Sequence, residues 1–159
     1  YKRQLYAYEH FGIKPDIVTT AKGLGGGLPI GACILGEKVE NTLTYGTHGS
    51  TFGSNPIVCA GAISVLERID DEFLNNVEKK SKIIFNFLKE VKNVESVSGL
   101  GLMIGIKTNK NANEVAENCL EKGLLVLTAK DKIRLLPPLT ISERELSEGL
   151  KILKEVIEE

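Results

Sequence analysis

A chain of 159 residues in which 42% are apolar and 26% charged has the composition of an ordinary globular protein, with enough apolar residues for one or two real cores. Its formal net charge of -1, with lysines interleaved among glutamates, provides no field to hold nucleic acid or an anionic membrane, and neither partner is expected. No run reaches the length of a membrane span and no signal-peptide pattern opens the chain, while Cys33, Cys59 and Cys119 lie far apart in apolar contexts with no Cys-x-x-Cys pair, so they read as buried reduced thiols of a cytoplasmic protein.

Residues 17–20 and 30–35 are short β-prone runs, the first entered through Pro15-Asp16, which favours extended backbone. Between them stands Ala21-Lys22-Gly23-Leu24-Gly25-Gly26-Gly27-Leu28-Pro29, one amine at a strand end followed by a backbone of little but glycine. A lone lysine before a turn is usually a solvated surface group. One that follows Ile17-Val18 and is walled by glycine has a second use, because partial desolvation disfavours the ammonium and frees a neutral nitrogen for Schiff-base chemistry with a carbonyl. The glycines do not form a nucleotide site. Leu28 stands where the third glycine of a G-x-G-x-x-G run from Gly23 and Gly25 would fall, and Ala21, not glycine, precedes Lys22, which excludes a P-loop.

Further on, Asn55-Pro56 reads as a helix start with Asn as N-cap, and 57–66 is apolar on nearly every face, so this helix is expected to be buried all round. From 70 to 91 the pattern turns amphipathic, with Phe73, Val77, Ile84, Leu88 and Val91 on one stripe and lysines and glutamates opposite, as in a helix that bridges two units. Beyond Asn93, strands are expected over 95–98, 102–107, 124–128 and 132–136, with a helix over 112–122 that Gly123 ends. The last helix opens on a capping box from Ser142 to Glu145 and carries Leu146, Leu150, Leu153 and Ile157 at helical spacing.

The Lys22 segment resembles the cofactor-lysine segment of the class III pyridoxal-phosphate aminotransferases, and Gly46-Thr47-His48-Gly49-Ser50-Thr51-Phe52-Gly53-Ser54-Asn55-Pro56 matches a second segment of that family at the expected distance. A third match, Leu124-Leu125-Val126-Leu127-Thr128 leading to Ile133-Arg134-Leu135-Leu136-Pro137-Pro138-Leu139, is most similar to the acetylornithine aminotransferase branch. The similarity runs from about Leu5 to the C-terminus. Tyr1-Lys2-Arg3-Gln4 depart from the family's Gly-Arg-Thr-Gly and read as an artefact.

The resemblance implies an α/β fold, the C-terminal part of a fold-type I transferase: 1–70 as a remnant of the large cofactor domain, 71–92 as a bridging helix and 93–159 as a small α/β domain. It implies pyridoxal 5'-phosphate held covalently on Lys22, which then moves the proton between substrate carbon and cofactor carbon. It gives Thr51 the cofactor phosphate of the neighbouring subunit in a homodimer, places Ser50 beside the substrate, and makes Arg134 the grip on a substrate carboxylate. Those residue types suit these roles, since small donors with accessible amides bind a phosphate dianion and a planar fork binds a carboxylate. Plainer readings stand beside them: a Ser-Thr pair often satisfies its own loop, and a lone strand arginine is often exposed or salt-bridged. Ser50 lacks the flanking glycines of a hydrolase elbow. His10 and His48 have no metal-ligand spacing, so no metal is expected. Ser54 stands where the family often has glycine, a departure expected to change loop stiffness and not chemistry.

The activity implied is transfer of an amino group between N-acetylornithine and 2-oxoglutarate in arginine biosynthesis, while ornithine, succinyldiaminopimelate and 4-aminobutyrate aminotransferases share all three motifs. In that family the phosphate-holding Gly-Thr loop, the ring-stacking aromatic and the aspartate that pairs with the pyridine nitrogen precede the lysine, in a chain more than twice this length. Their absence here motivates a reading of another class, an inactive fragment or structural module without a complete cofactor site.

Overall fold

A computed structural model describes residues 5–159, so the expectation for residues 1–4 lies outside the described residues. The chain divides into two compact units, one running through Leu74 and the other beginning at Asn75.

In the first unit β1 (Ile17–Thr20) and β2 (Ala32–Leu35) form an antiparallel pair, Ile17 opposite Leu35 and Thr20 opposite Ala32. The glycine-rich connection between them opens with a single 3-10 turn, Lys22–Gly25. Helix α1 (Pro56–Glu67) starts where the sequence places it: the Asn55 side chain accepts from the N–H groups of Ile57 and Val58, and Pro56 takes the first helical position. Gly61 lets α1 approach the glycine loop, since a Cβ there would stand 2.4 Å from Leu28 Cδ1.

Two expectations fail in this unit for one reason. Only Ala62 of α1 is buried, with Ile57 at 72% and Ile63 at 56% exposure, and Cys33 is exposed while Cys59 is half-buried. A two-stranded ribbon and one helix offer a single contact face among the described residues, too little to enclose an all-apolar helix. The third cysteine behaves as expected, because Cys119 sits in the core of the second unit and burial pushes its thiol pKa up.

The division between the units falls early in α2 (Asp71–Lys89), so all but its first turn belongs to the second. There β3 (Val94–Leu100), β4 (Met103–Thr108), β5 (Leu127–Ala129) and β6 (Lys132–Leu135) make one antiparallel sheet in the order β3-β4-β6-β5. Ile104, Ile106 and Ile133 project from one face into a core shared with Ile84 and Leu88 of α2, Val115 and Cys119 of α3 (Ala112–Glu121), and Leu150, Leu153 and Ile157 of α4 (Glu143–Glu158). The capping box of α4 forms as read: Ser142 Oγ accepts from the Glu145 N–H, and the Glu145 carboxylate accepts from the Ser142 N–H. The serine donors also hold the Glu145 carboxyl below its usual pKa.

Strand β5 begins three residues later than the sequence suggests. Gly123 takes φ +83° and the Leu124 N–H donates to Cys119 O at 2.8 Å, which is the closing bond of a helix C-cap. Leu124 therefore finishes α3 and does not join the ladder.

Near the end of β3 the close approach of β4 depends on a glycine. Gly99 has φ +146°, and a Cβ there would lie 2.1 Å from Met103 O and 2.9 Å from Ile104 Cα, both rigid backbone atoms. Gly99→Ala is expected to destabilise the second unit by about 3 kcal/mol, combining left-handed strain with an overlap that no rotamer relieves. The urea midpoint measures this; a shift within error of zero would mean that the strand pair can re-form around a side chain.

Candidate active site

Thr20, opposite Ala32, is the last paired residue of β1, and after the extended Ala21 the chain turns at Lys22, with φ +55°. Left-handed backbone costs a residue with a Cβ about 1 kcal/mol, so the loop holds this lysine where glycine would sit without strain. What fixes the loop is backbone: the N–H groups of Leu24, Gly26 and Leu28 donate to the carbonyls of Ala21, Gly23 and Gly25 at 3.1 to 3.2 Å. The lysine side chain takes no part. Lys22 is exposed, and its amine has no hydrogen bond or ion pair among the described residues.

The other described lysines of this unit are committed, Lys14 to Glu37 and Lys38 to Asp16, each at 3.1 Å. Lys22 is thus the free primary amine of the first unit among the described residues. The partly desolvated pocket suggested by the sequence is not built by these residues. A glycine has no side chain with which to wall an amine, and a Cβ added at Gly23 or Gly27 would meet nothing within 4 Å.

Ser50 and Thr51 lie in an exposed loop of the same unit. Local satisfaction is carried out by a different residue, since Thr47 Oγ1 donates to Thr44 O at 2.7 Å. The hydroxyls of Ser50 and Thr51 and the Thr51 N–H have no partner among the described residues, and the space over Gly49 is open. Downstream, the Gly53 N–H reaches Ser50 O and the Asn55 N–H reaches Phe52 O, with Ser54 between them at φ +57°. Ser54 therefore occupies a glycine conformation. Ser54→Gly is expected to stabilise the protein by about 0.5 to 1 kcal/mol, the relief of left-handed strain being partly offset by the freer unfolded chain. Thermal midpoints of the two proteins check this, and a lowered midpoint would count against the loop geometry.

Arg134 lies on β6 of the second unit, opposite Gly105 on β4 and Leu127 on β5. It is half-buried, its Nε is buried without a hydrogen-bond partner, and no carboxylate pairs with it among the described residues. Neither plainer reading of a strand arginine, fully exposed or salt-bridged, describes it. The neighbouring charges are committed. Lys132 Nζ donates to Ser98 Oγ at 3.1 Å and Lys107 pairs with Asp131 at 2.5 Å. That hydrogen bond and the attraction between the charges hold the lysine above and the aspartate below their usual pKa values.

Lys22, Ser50 and Thr51 thus belong to one unit and Arg134 to the other. One notable residue was missed by the sequence reading. Lys80 of α2 is only 8% exposed, and its Nζ donates to Leu139 O at 3.0 Å. Its place between Val77 and Ile84, three and four residues away, puts it on the apolar stripe, a signal the heptad-like spacing carries.

The fold is the mixed α/β fold of pyridoxal-phosphate-dependent aminotransferases. The model of the aminotransferase class-III family matches residues 4–157, and the chain belongs to that family. It is 49% identical over 157 residues to the acetylornithine aminotransferase of Haemophilus ducreyi, a match covering 98% of this chain and 40% of that protein. The crystal structure of acetylornithine aminotransferase from Elizabethkingia anophelis aligns with a TM-score of 0.84 at 31% identity, over 97% of this chain and 41% of its own. Ornithine aminotransferase from Toxoplasma gondii ME49 aligns with a TM-score of 0.87 at 28% identity, over 97% of this chain and 39% of its own. The chain spans about 40% of the length of the curated relatives it matches.

Proposed function

We propose that this chain is the C-terminal portion of a pyridoxal-phosphate-dependent aminotransferase that moves an amino group between N-acetylornithine and 2-oxoglutarate. In this reading 1–70 is the remnant of the large cofactor domain, 71–92 the bridging helix and 93–159 the small domain. The protein is a cytoplasmic homodimer of arginine biosynthesis. The observation that carries the proposal is the uncommitted amine of Lys22, held on a left-handed turn at a strand end while Lys14 and Lys38 are paired.

The residues present fit the cofactor. A free primary amine with open space over Gly23 suits covalent attachment, and the unspent hydroxyl and N–H of Thr51 suit a phosphate dianion. Pyridoxal phosphate, when bound, supplies the electron sink. The rest falls to the chain. Lys22 Nζ would hold the cofactor, and the same amine would carry a proton to and from the substrate carbon. Thr51 would bind the phosphate of the neighbouring subunit's cofactor, Ser50 would border the substrate, and the Arg134 fork would orient its carboxylate.

The choice of acetylornithine rests on relatives of that name, up to 49% identical to this chain. A specific observation favours ornithine as the alternative, because the Toxoplasma gondii ornithine aminotransferase aligns with a TM-score of 0.87. Turnover of N-acetylornithine and of ornithine, each with 2-oxoglutarate, separates them. The general reading is tested by borohydride reduction of the whole protein with pyridoxal phosphate, followed by peptide mapping. The pyridoxyl group is expected on Lys22; stable labelling of Lys14 in its place would overturn the assignment. If the separate 159-residue chain is labelled yet fails to transaminate, it is a cofactor-competent module and not a complete enzyme.

A further inference from the structure

A lysine at 8% exposure needs a reason, since its ammonium loses hydration that one carbonyl only partly replaces. Lys80 Nζ donates to Leu139 O at 3.0 Å, and its neighbour Lys79 pairs with Glu143 at 2.6 Å. Two consecutive residues of α2 therefore grip the connection from β6 to α4, Lys80 at its midpoint and Lys79 at the first residue of α4. That connection is stiff. Pro137 and Pro138 each lock φ, Leu136 is restricted because it precedes a proline, and the Ile141 N–H donates to Pro138 O at 3.0 Å.

Stiffness makes the grip act at a distance. On β6, Arg134 has paired residues on both sides, Gly105 and Leu127, but Leu135 is paired on one side only, with Ile104. The strand thus loses half its lateral support immediately after the arginine. Its next firm anchor is Leu139, reached through the two prolines and held by Lys80. Arg134 itself has no ion pair to fix its guanidinium, so its aim depends on the strand beneath it.

We propose that Lys80 is a positioning residue for Arg134: by pinning Leu139 it sets the end of β6 and hence the angle at which the guanidinium meets a substrate carboxylate. The inference rests on the proposed role of Arg134. Removing the donor while keeping the aliphatic stem takes away the bond that holds the Leu139 carbonyl and frees the strand end, and small errors of placement are costly to a two-pronged contact.

In the whole protein, Lys80→Met is expected to raise KM for 2-oxoglutarate about three- to tenfold with kcat within about twofold, and to weaken binding of unreactive glutarate in parallel. Lys80→Arg should restore both. In an Arg134→Lys background the same Lys80→Met change should add nothing further, because the grip it aims is gone. A lower thermal midpoint with unchanged KM and glutarate affinity would reduce Lys80 to a structural bond and overturn the proposal, as would fully additive effects in the double variant. If Arg134→Lys alone leaves KM unchanged, the function assigned to Arg134 fails, and the Lys80 proposal with it. Should Lys80→Met not fold, Lys80→Gln, which keeps a shorter polar end, is expected to show the same KM and glutarate shifts, and unchanged values there would overturn the proposal.

Discussion

Replacing Lys22 with alanine in the whole protein is expected to lower transamination by about 10⁴-fold or more, since in the proposed mechanism one group both attaches the cofactor and moves the proton. The fold should barely respond. Lys22 is exposed and has no partner among the described residues, and the turn that carries it is closed by backbone bonds from Leu24, Gly26 and Leu28. Lys22→Gly makes a sharper comparison, because glycine accepts φ +55° without strain and should leave the protein slightly more stable than the parent while equally inactive. Lys14→Ala serves as the control, removing only an exposed pair with Glu37. The measurements are initial rates with saturating pyridoxal phosphate, together with thermal midpoints. Normal turnover in Lys22→Ala would sink the proposed mechanism, and collapse of the fold would show a structural role that the geometry gives no sign of.

The sequence was most legible where local chemistry decides the backbone. Asn55-Pro56 started α1, the Ser142–Glu145 box started α4, and the apolar stripes of α2 and α4 entered the core of the second unit. It was less legible where two local signals competed. Leu124 is apolar and β-prone, but its N–H is taken by the C-cap of α3, and no period in the sequence records that bond. Burial in the first unit was not legible at all. An all-apolar helix states that it needs company on every side, whereas exposure is fixed by what stands around it, and α1 packs on the glycine loop while Ile57 and Ile63 stay exposed. The same logic applies to Lys22. Its glycine setting was visible, but desolvation takes walls that glycines do not provide. At Arg134 the residue type suggested the role, while the distinguishing facts, a buried Nε without an acceptor and the absence of a carboxylate partner among the described residues, are three-dimensional. Lys80 shows a different kind of miss, because its position on the apolar stripe was readable and its charge concealed it.

Arg134→Lys in the whole protein is expected to raise KM for the carboxylate substrates by about 10- to 100-fold, corresponding to about 1.5 to 3 kcal/mol for a charged hydrogen-bonded contact. A point charge on a flexible stem replaces a planar fork, so charge survives and geometry does not. Stability should change little, because the arginine makes no ion pair within the described residues and its unpartnered Nε would be removed from a half-buried site. Removing a buried donor that lacks an acceptor could even favour folding. In the proposed mechanism cofactor attachment belongs to Lys22 and should be untouched, which the visible absorbance of the bound cofactor reports independently of turnover. The decisive comparison is KM against the thermal midpoint. A higher KM at constant midpoint assigns Arg134 to the substrate. A lower midpoint with unchanged KM would instead make it a structural member of the β4–β6–β5 sheet, whose orphaned Nε has found a partner that the isolated side chain does not show.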